Sequence, residues 1–102
     1  MKAPRRKLWA LATWVEHDSR VEPEDVVMKT FARKRDAVGE ACHAYRLACE
    51  DEREEWDLSE LASLGDELAE PGNHDRWAAV EIGLDVEVST VFVAKMSRVD
   101  VA

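Results

Sequence analysis

Residues 7–17 constrain the fold of this chain most strongly, because they are apolar on both faces of an extended segment. In a strand, successive side chains point to opposite sides of the sheet, so residues two apart share a face. One face would carry Leu8, Ala10, Ala12 and Trp14, and the other would carry Trp9, Leu11, Thr13 and Val15. This pattern predicts an inner strand that is covered on at least part of each side, with a polar end from Glu16 onward.

The following residues predict a second strand and then a helix. Residues 18–25 hold Pro23 and five charged side chains and form a connection, and residues 26–32 resume extended character. We expect these two strands to pair antiparallel. Over residues 33–56 the period changes to that of a helix with one buried stripe, formed by Val38, Ala41, Cys42, Tyr45, Cys49 and Trp56.

A second helix is predicted from Asp57 to about Ala69. Asp57 and Glu60 have the spacing of a capping box, in which side chains at a helix start bond its unpaired N–H groups. Pro71 and Gly72 then end the helix and open a polar loop. The helix would carry an apolar stripe made by Leu58, Leu61, Leu64 and Leu68.

The last part of the chain returns to extended character. Val80, Ile82, Leu84, Val86 and Val88 alternate with polar or small residues, and residues 91–96 continue as strand. Either residues 83–85 form a hairpin turn or the whole segment is one long bulged strand. The order predicts a single α+β domain over residues 1–102, in which an antiparallel sheet of three to four strands carries two helices on one face, in the order β-β-α-α-β(-β).

Acidic charge is concentrated in one part of the sequence. Residues 50–87 contain fourteen Asp and Glu and two Arg, a local charge of −12, while the remainder sums to +4 and the whole chain to −8. This segregated charge predicts a contact surface for a basic protein partner, and it favours a binding function over catalysis. The alternative is that these acids form only a solvated helix face.

Helix geometry allows the acidic segment to be compared with DNA. Residues 50–70 hold ten acids, which one continuous helix would space at one per ~3 Å of axis, close to the ~3.4 Å between phosphates along a DNA strand. Leu47, among the acids on the outer face of the first helix, is either a further contact or covered by the following helix. The predicted partner-binding residues are Glu40, Leu47, Glu50, Asp51, Glu54, Glu55, Asp57, Glu60, Asp66, Glu67 and Glu70.

Several other functions lack the residues that they need. Cys42 and Cys49 lie seven residues apart in a helix, about 10 Å along its axis, which is too far for a disulfide. Neither has the companions of a thiol nucleophile or a metal site, so we expect reduced core cysteines and no catalytic residue, cofactor or metal. The basic residues 33–35 lack interleaved aromatics, so no direct nucleic-acid binding is expected. No segment is long enough to span a membrane, and we expect a cytoplasmic protein.

The acids of the helical region also suggest a relationship to a known group. They are Glu50, Asp51, Glu52, Glu54, Glu55, Asp57, Glu60, Asp66, Glu67 and Glu70. In size, acidity and its strand, strand, helix beginning, the chain resembles small proteins of phages and other mobile elements, and among them the anti-CRISPR proteins. The resemblance implies a non-enzymatic DNA mimic that binds a CRISPR effector or similar complex in the host cell and blocks DNA access. The alternative function is a small phage structural or assembly protein acting through self-association, so we expect a monomer or weak homo-oligomer.

Overall fold

Four antiparallel strands form one sheet, and two helices pack on one face of it. The computed structural model describes residues 6–72, 74–83 and 88–101. Its elements follow the order β1 (Arg6–His17), β2 (Val27–Phe31), α1 (Lys34–Asp51), α2 (Leu58–Ala69), β3 (Arg76–Glu81) and β4 (Thr90–Val101), with one turn of 3-10 helix at Pro23–Asp25. This order confirms the predicted α+β fold and gives the sheet four strands.

The first and last strands form the centre of the sheet, whose strand order is β2-β1-β4-β3. β1 and β4 pair along their whole length, from Arg6 opposite Val101 to His17 opposite Thr90. β2 pairs with β1 as predicted, and β3 pairs antiparallel with β4. The last part of the chain is therefore two strands and not one long bulged strand. β3 begins at Arg76, earlier than the sequence predicts, while residues 84–87 lie outside the described part of the chain.

The core lies between the helices and the sheet. Each central strand contributes alternate residues to it, because side chains alternate between the two faces of a strand. Tyr45 of α1 packs edge-on against Phe92 of β4, with ring centroids 5.8 Å apart. The most deeply buried large side chains are Leu11, Cys49, Leu64, Leu68, Phe92 and Met96.

The opposite face of the sheet has no helix on it within the described residues. Leu8, Ala10, Ala12 and Trp14 point to this side, because Trp9 and Leu11 point into the core. Among the described residues, the prediction that β1 is covered on at least part of each side is therefore confirmed for the helix side alone. A sheet needs one covered face to form a core, and the other face of this sheet keeps its apolar surface.

α1 ends at Asp51, five residues before the predicted end at Trp56. Arg53 adopts a left-handed conformation with φ of 60°, which turns the chain out of the helix. Trp56 consequently does not join the buried stripe: it is 39% exposed, and the Arg46 guanidinium lies 5.5 Å from its ring centroid.

α2 has the predicted boundaries. Asp57 precedes it, and its Oδ1 atom accepts hydrogen bonds from the backbone N–H groups of Ser59 and Glu60 at 2.7 Å and 3.2 Å. These bonds satisfy two donors that the first helical turn leaves unpaired. Leu58 is the exception in the predicted apolar stripe, because it is 72% exposed while Leu64 and Leu68 are buried.

Candidate functional site

The chain reversal between the helices begins at the end of α1. The backbone N–H of Glu54 donates to the carbonyl of Cys49 at 2.9 Å, and the N–H of Arg53 donates to the carbonyl of Glu50 at 3.0 Å. These two bonds form a Schellman motif, in which a left-handed residue closes the helix and bonds its last carbonyls. Arg53 holds the position that is most often occupied by glycine.

The two helices lie side by side and run antiparallel. At one end, Lys34 of α1 donates to the backbone carbonyl of Glu70, immediately after α2. At the other end, the N–H of Asp57 donates to the hydroxyl of Tyr45 at 3.3 Å. The continuous helix over residues 50–70 that a DNA-like spacing requires is therefore absent, and the acids do not form one straight row.

The reversal gathers seven carboxylates at one end of the helix pair. All of them belong to the last turn of α1, the connection or the first turn of α2, within eleven residues of sequence. We call this set the acidic pole; it consists of Glu50, Asp51, Glu52, Glu54, Glu55, Asp57 and Glu60.

An apolar groove of about 340 Å³ lies beside the acidic pole, between α1 and the first two strands. Leu47 and Val27 stand on its two sides and are 46% and 49% exposed. α2 does not cover Leu47, so the alternative in which the following helix covers this residue is wrong, and its contact with a partner stays a prediction. The floor of the groove is formed mainly by Thr13, Val15, Ala44, Ala48 and Phe92.

The rim of the apolar groove is charged. Asp51 and Glu52 reach it from the acidic pole, and Asp25 reaches it from the 3-10 turn before β2. His17 lies at the same rim, with its Nε2 atom 3.7 Å from a Glu52 carboxylate oxygen and its Nδ1 atom 3.3 Å from the hydroxyl of Thr90. The groove therefore combines an apolar floor with three carboxylates, a surface suited to a ligand that is both apolar and basic.

A second depression, of about 320 Å³, lies on the other side of the connection. Its walls include four members of the acidic pole, Glu54, Glu55, Asp57 and Glu60, and the end of β3 closes it. Tyr45 and Cys49 lie in its floor, and burial raises the pKa of both side chains. In the described part of the chain, no group of three His, Cys, Asp or Glu side chains is arranged to hold a metal ion.

Most of the acidic pole has no cationic partner among the described residues. A Glu52 carboxylate oxygen lies 3.7 Å from the Nε2 atom of His17, and no other carboxylate of the pole lies within 4.0 Å of a described Lys, Arg or His nitrogen. Away from the pole the situation differs: Glu40 pairs with Lys29 at 2.7 Å, and Glu70 pairs with Arg76 at 3.2 Å. The negative charge of the pole is therefore largely unneutralised.

The structure divides the predicted partner-binding residues into two groups. Leu47, Glu50, Asp51, Glu54, Glu55, Asp57 and Glu60 lie at the acidic pole or in the groove beside it. The other four predicted residues lie elsewhere. Glu40 faces β2 through Lys29, Asp66 and Glu67 are exposed on the second half of α2, and Glu70 follows that helix.

Sequence reasoning missed several residues of this surface. Asp25, Glu52, Val27 and His17 were not among the predicted contacts, yet all of them line the apolar groove. Asp25 and His17 are distant from the acidic segment in sequence, so only the pairing of β1 with β2 and the packing of α1 bring them to it. Of these four residues, only Glu52 lies in the acidic segment, so the charge pattern could have identified it as a contact.

The cysteine side chains are poor nucleophiles in this environment. Cys49 is buried and Cys42 is half-buried, and both are free thiols. Burial raises the pKa of each thiol, although the nearby Arg46 charge partly opposes the effect at Cys42. A raised pKa keeps sulfur protonated at neutral pH, whereas a catalytic cysteine needs the thiolate.

Comparison with known proteins finds no match: no family model, no curated protein and no solved structure is significantly similar to this chain. In the described part of the chain, neither helix has the length and the apolar composition needed to cross a membrane. The physical properties of the acidic pole and the apolar groove are therefore the basis for assigning a function.

Proposed function

We propose that this protein is a non-enzymatic inhibitor that binds a basic, nucleic-acid-binding surface of a larger protein through the acidic pole and thereby blocks DNA access. The partner that we favour is a CRISPR effector or a similar complex in the cytoplasm of a host cell, in keeping with the resemblance of the chain to small phage proteins. The observation that carries the proposal is a cluster of carboxylates, most of which have no cationic partner among the described residues, beside an apolar groove.

Clustered like charges favour a basic partner on energetic grounds. Neighbouring carboxylates repel one another, so the folded protein is destabilised by gathering them at one end. Lys and Arg side chains of a partner relieve this repulsion, and the release of counterions from the two charged surfaces drives association in the same way as DNA binding. The pole is compact, so it would occupy one basic pocket or a short length of a DNA channel.

The apolar groove provides the specificity that charge alone lacks. Long-range attraction accelerates encounter with any basic surface, but it discriminates little between partners. Leu47 and Val27 offer exposed apolar area directly beside Asp51 and Asp25, so an apolar partner side chain inserted there would place flanking cations against carboxylates. Buried apolar contacts of this kind contribute most of the affinity in protein interfaces.

Competition with DNA tests the proposal. Tagged protein is incubated with host lysate at low salt, and the retained proteins are challenged with excess duplex DNA. We expect retention of a nucleic-acid-binding complex and its release by DNA. The triple substitution Asp51→Lys, Glu54→Lys and Glu55→Lys is expected to abolish retention while leaving the circular dichroism spectrum unchanged.

A matched control separates the pole from overall charge. The substitutions Asp36→Lys, Asp75→Lys and Asp100→Lys make the same change of charge at exposed positions that lie outside the pole and are not among the predicted contacts. We expect this variant to retain the complex. Equal loss of binding in both variants would show that only net charge matters, and retention of no basic protein by the wild type would overturn the proposal.

A further inference from the structure

The sheet face opposite the helices is unusually apolar for a surface that neither described helix covers. We call it the open face; its described side chains are Leu8, Ala10, Ala12, Trp14, Glu16, Met28, Thr30, Trp77, Ala79, Glu81, Val91, Val93, Lys95, Ser97 and Val99. Ala10 and Val93 are buried, but Met28 and Trp77 are 69% and 65% exposed on the two edge strands. In an antiparallel sheet with one face in water, apolar and polar residues normally alternate along each strand. The strands of this sheet instead carry apolar residues on both faces.

The charged side chains of the open face have an ordered arrangement. Three neighbouring rows cross the sheet, and strand register defines them as Ala12–Lys95–Trp77, Trp14–Val93–Ala79 and Glu16–Val91–Glu81. Lys95 therefore lies in the row on one side of the Trp14–Val93–Ala79 row, and Glu16 and Glu81 lie in the row on its other side. Trp14 donates from its indole nitrogen to a Glu16 carboxylate oxygen at 3.0 Å, which holds that carboxylate on the open face.

We propose that a second copy of this chain packs on the open face, forming a two-fold sheet-on-sheet dimer. A two-fold axis along the middle row places Lys95 of each copy over the row that contains Glu16 and Glu81 of the other. The contact is then self-complementary in charge, as an isologous interface requires. The apolar rows meet across the axis at the spacing of about 10 Å that is usual between packed sheets.

The size of the open face fits a weak dimer. The two central strands measure about 27 Å from Val91 to Val99, and the edge strands, of five and six residues, pair with only part of that length, so the face covers about 400 Å² per copy. The total of about 800 Å² is in the range of small, transient protein interfaces. This dimer goes beyond the proposed inhibition and does not depend on it, because the open face lies on the opposite side of the sheet from the helices.

Sedimentation equilibrium of the full chain tests the proposal. Between micromolar and millimolar concentrations, we expect the wild type to change from its mass of 11.6 kDa to twice that value. Lys95→Glu places like charges opposite each other and is expected to raise the dimer Kd about tenfold or more. The full reversal Glu16→Lys, Glu81→Lys and Lys95→Glu restores opposite signs and is expected to recover the dimer.

The control variant is Arg35→Glu, which makes the same change of charge at an exposed position on α1. It is expected to leave the dimer unchanged, and circular dichroism checks that every variant is folded. A wild type that stays monomeric at every concentration would overturn the proposal. The open face would then be left for other residues of the chain or for a different protein to cover. A dimer that is insensitive to Lys95→Glu, or equally sensitive to Arg35→Glu, would also overturn it.

Discussion

The N–H of Glu54 bonds to the carbonyl of Cys49 at 2.9 Å, and this contact turns the chain at the end of α1. Without it the acidic segment would continue along the helix axis, and its carboxylates would be spread over about 30 Å at 1.5 Å per residue. With it the chain reverses, and seven of these ten carboxylates are gathered as the acidic pole at one end of the helix pair. A local backbone motif thus determines the shape of the charged surface.

Replacement of Arg53 by glycine should stabilise the protein. Arg53 has a φ of 60°, a conformation that strains any residue with a side chain by roughly 1 kcal/mol. We expect the free energy of unfolding, measured in urea, to be higher for Arg53→Gly than for Arg53→Ala by about 1 kcal/mol. Both variants lose the same charge, so their difference isolates the backbone. Equal stability of the two would show that the turn carries no strain.

Removal of the α2 cap should destabilise the protein. Asp57 accepts hydrogen bonds from two backbone N–H groups of the first helical turn. We expect Asp57→Ala to lower the free energy of unfolding by about 1 kcal/mol, measured in urea. Glu55→Ala removes an equivalent charge from an exposed residue without a cap and should change stability by less than about half as much. The prediction fails if the two variants are equally destabilised.

The two helices illustrate how much of the fold the sequence predicts. The start of α2 is encoded locally, because Asp57 caps it, and Pro71 and Gly72 follow its end, so both boundaries are predicted correctly. The end of α1 carries no such signal. Its left-handed position holds Arg53 and not glycine or asparagine. The spacing of apolar residues therefore predicts a helix up to Trp56, although the helix ends at Asp51.

The candidate site is less predictable than the fold for a different reason. Charge density identifies the acidic segment, but the neighbours of Leu47 depend on where β1 and β2 pass beneath α1. Asp25 and His17 join Asp51 and Glu52 only through strand pairing and helix packing, which are non-local contacts. Periodicity assigns a residue to one face of its own element and does not indicate what lies opposite that face.

Truncation of Leu47 should weaken partner binding without affecting the fold. Leu47 is 46% exposed at the groove, whereas Leu58 is 72% exposed outside it. Once the partner is isolated, we expect Leu47→Ala to raise its Kd about tenfold, which corresponds to the loss of about 1.4 kcal/mol of apolar contact. Leu58→Ala should bind like the wild type, and both variants should retain wild-type stability to within about 0.5 kcal/mol. Unchanged affinity for Leu47→Ala would exclude the groove from the interface.

The buried thiols should make the protein less stable at alkaline pH. Burial raises the pKa of Cys42 and Cys49 in the folded state, so the folded state holds their protons more tightly than the unfolded state does. This contribution is fully present below the ordinary thiol pKa and is lost as pH rises through the folded-state values. We expect the urea midpoint of the wild type to fall in that range. The double variant Cys42→Ala and Cys49→Ala should show a smaller fall, and an identical fall would contradict the assignment.

Added salt should stabilise the free protein. Repulsion within the acidic pole is screened by ions, because most of its carboxylates are exposed and lack cationic partners among the described residues. We expect sodium chloride to raise the free energy of unfolding by roughly 0.5–1 kcal/mol between low and physiological ionic strength. The neutral variant Asp51→Asn, Glu54→Gln and Glu55→Gln should respond less. A wild type that salt leaves unchanged or destabilises would indicate that the carboxylates do not repel appreciably.

The pairing of the first strand with the last also governs the way in which this chain acquires its structure. Even the closest partners of β1 and β4, His17 and Thr90, are 73 residues apart in sequence. Every rung of the central ladder therefore closes a loop of most of the chain, and such high contact order slows folding. During synthesis, β1 finds its central neighbour only after β4 has left the ribosome. Until then its two apolar faces depend on β2 and the helices, and the nascent chain is exposed to aggregation at this strand for as long as β4 is missing.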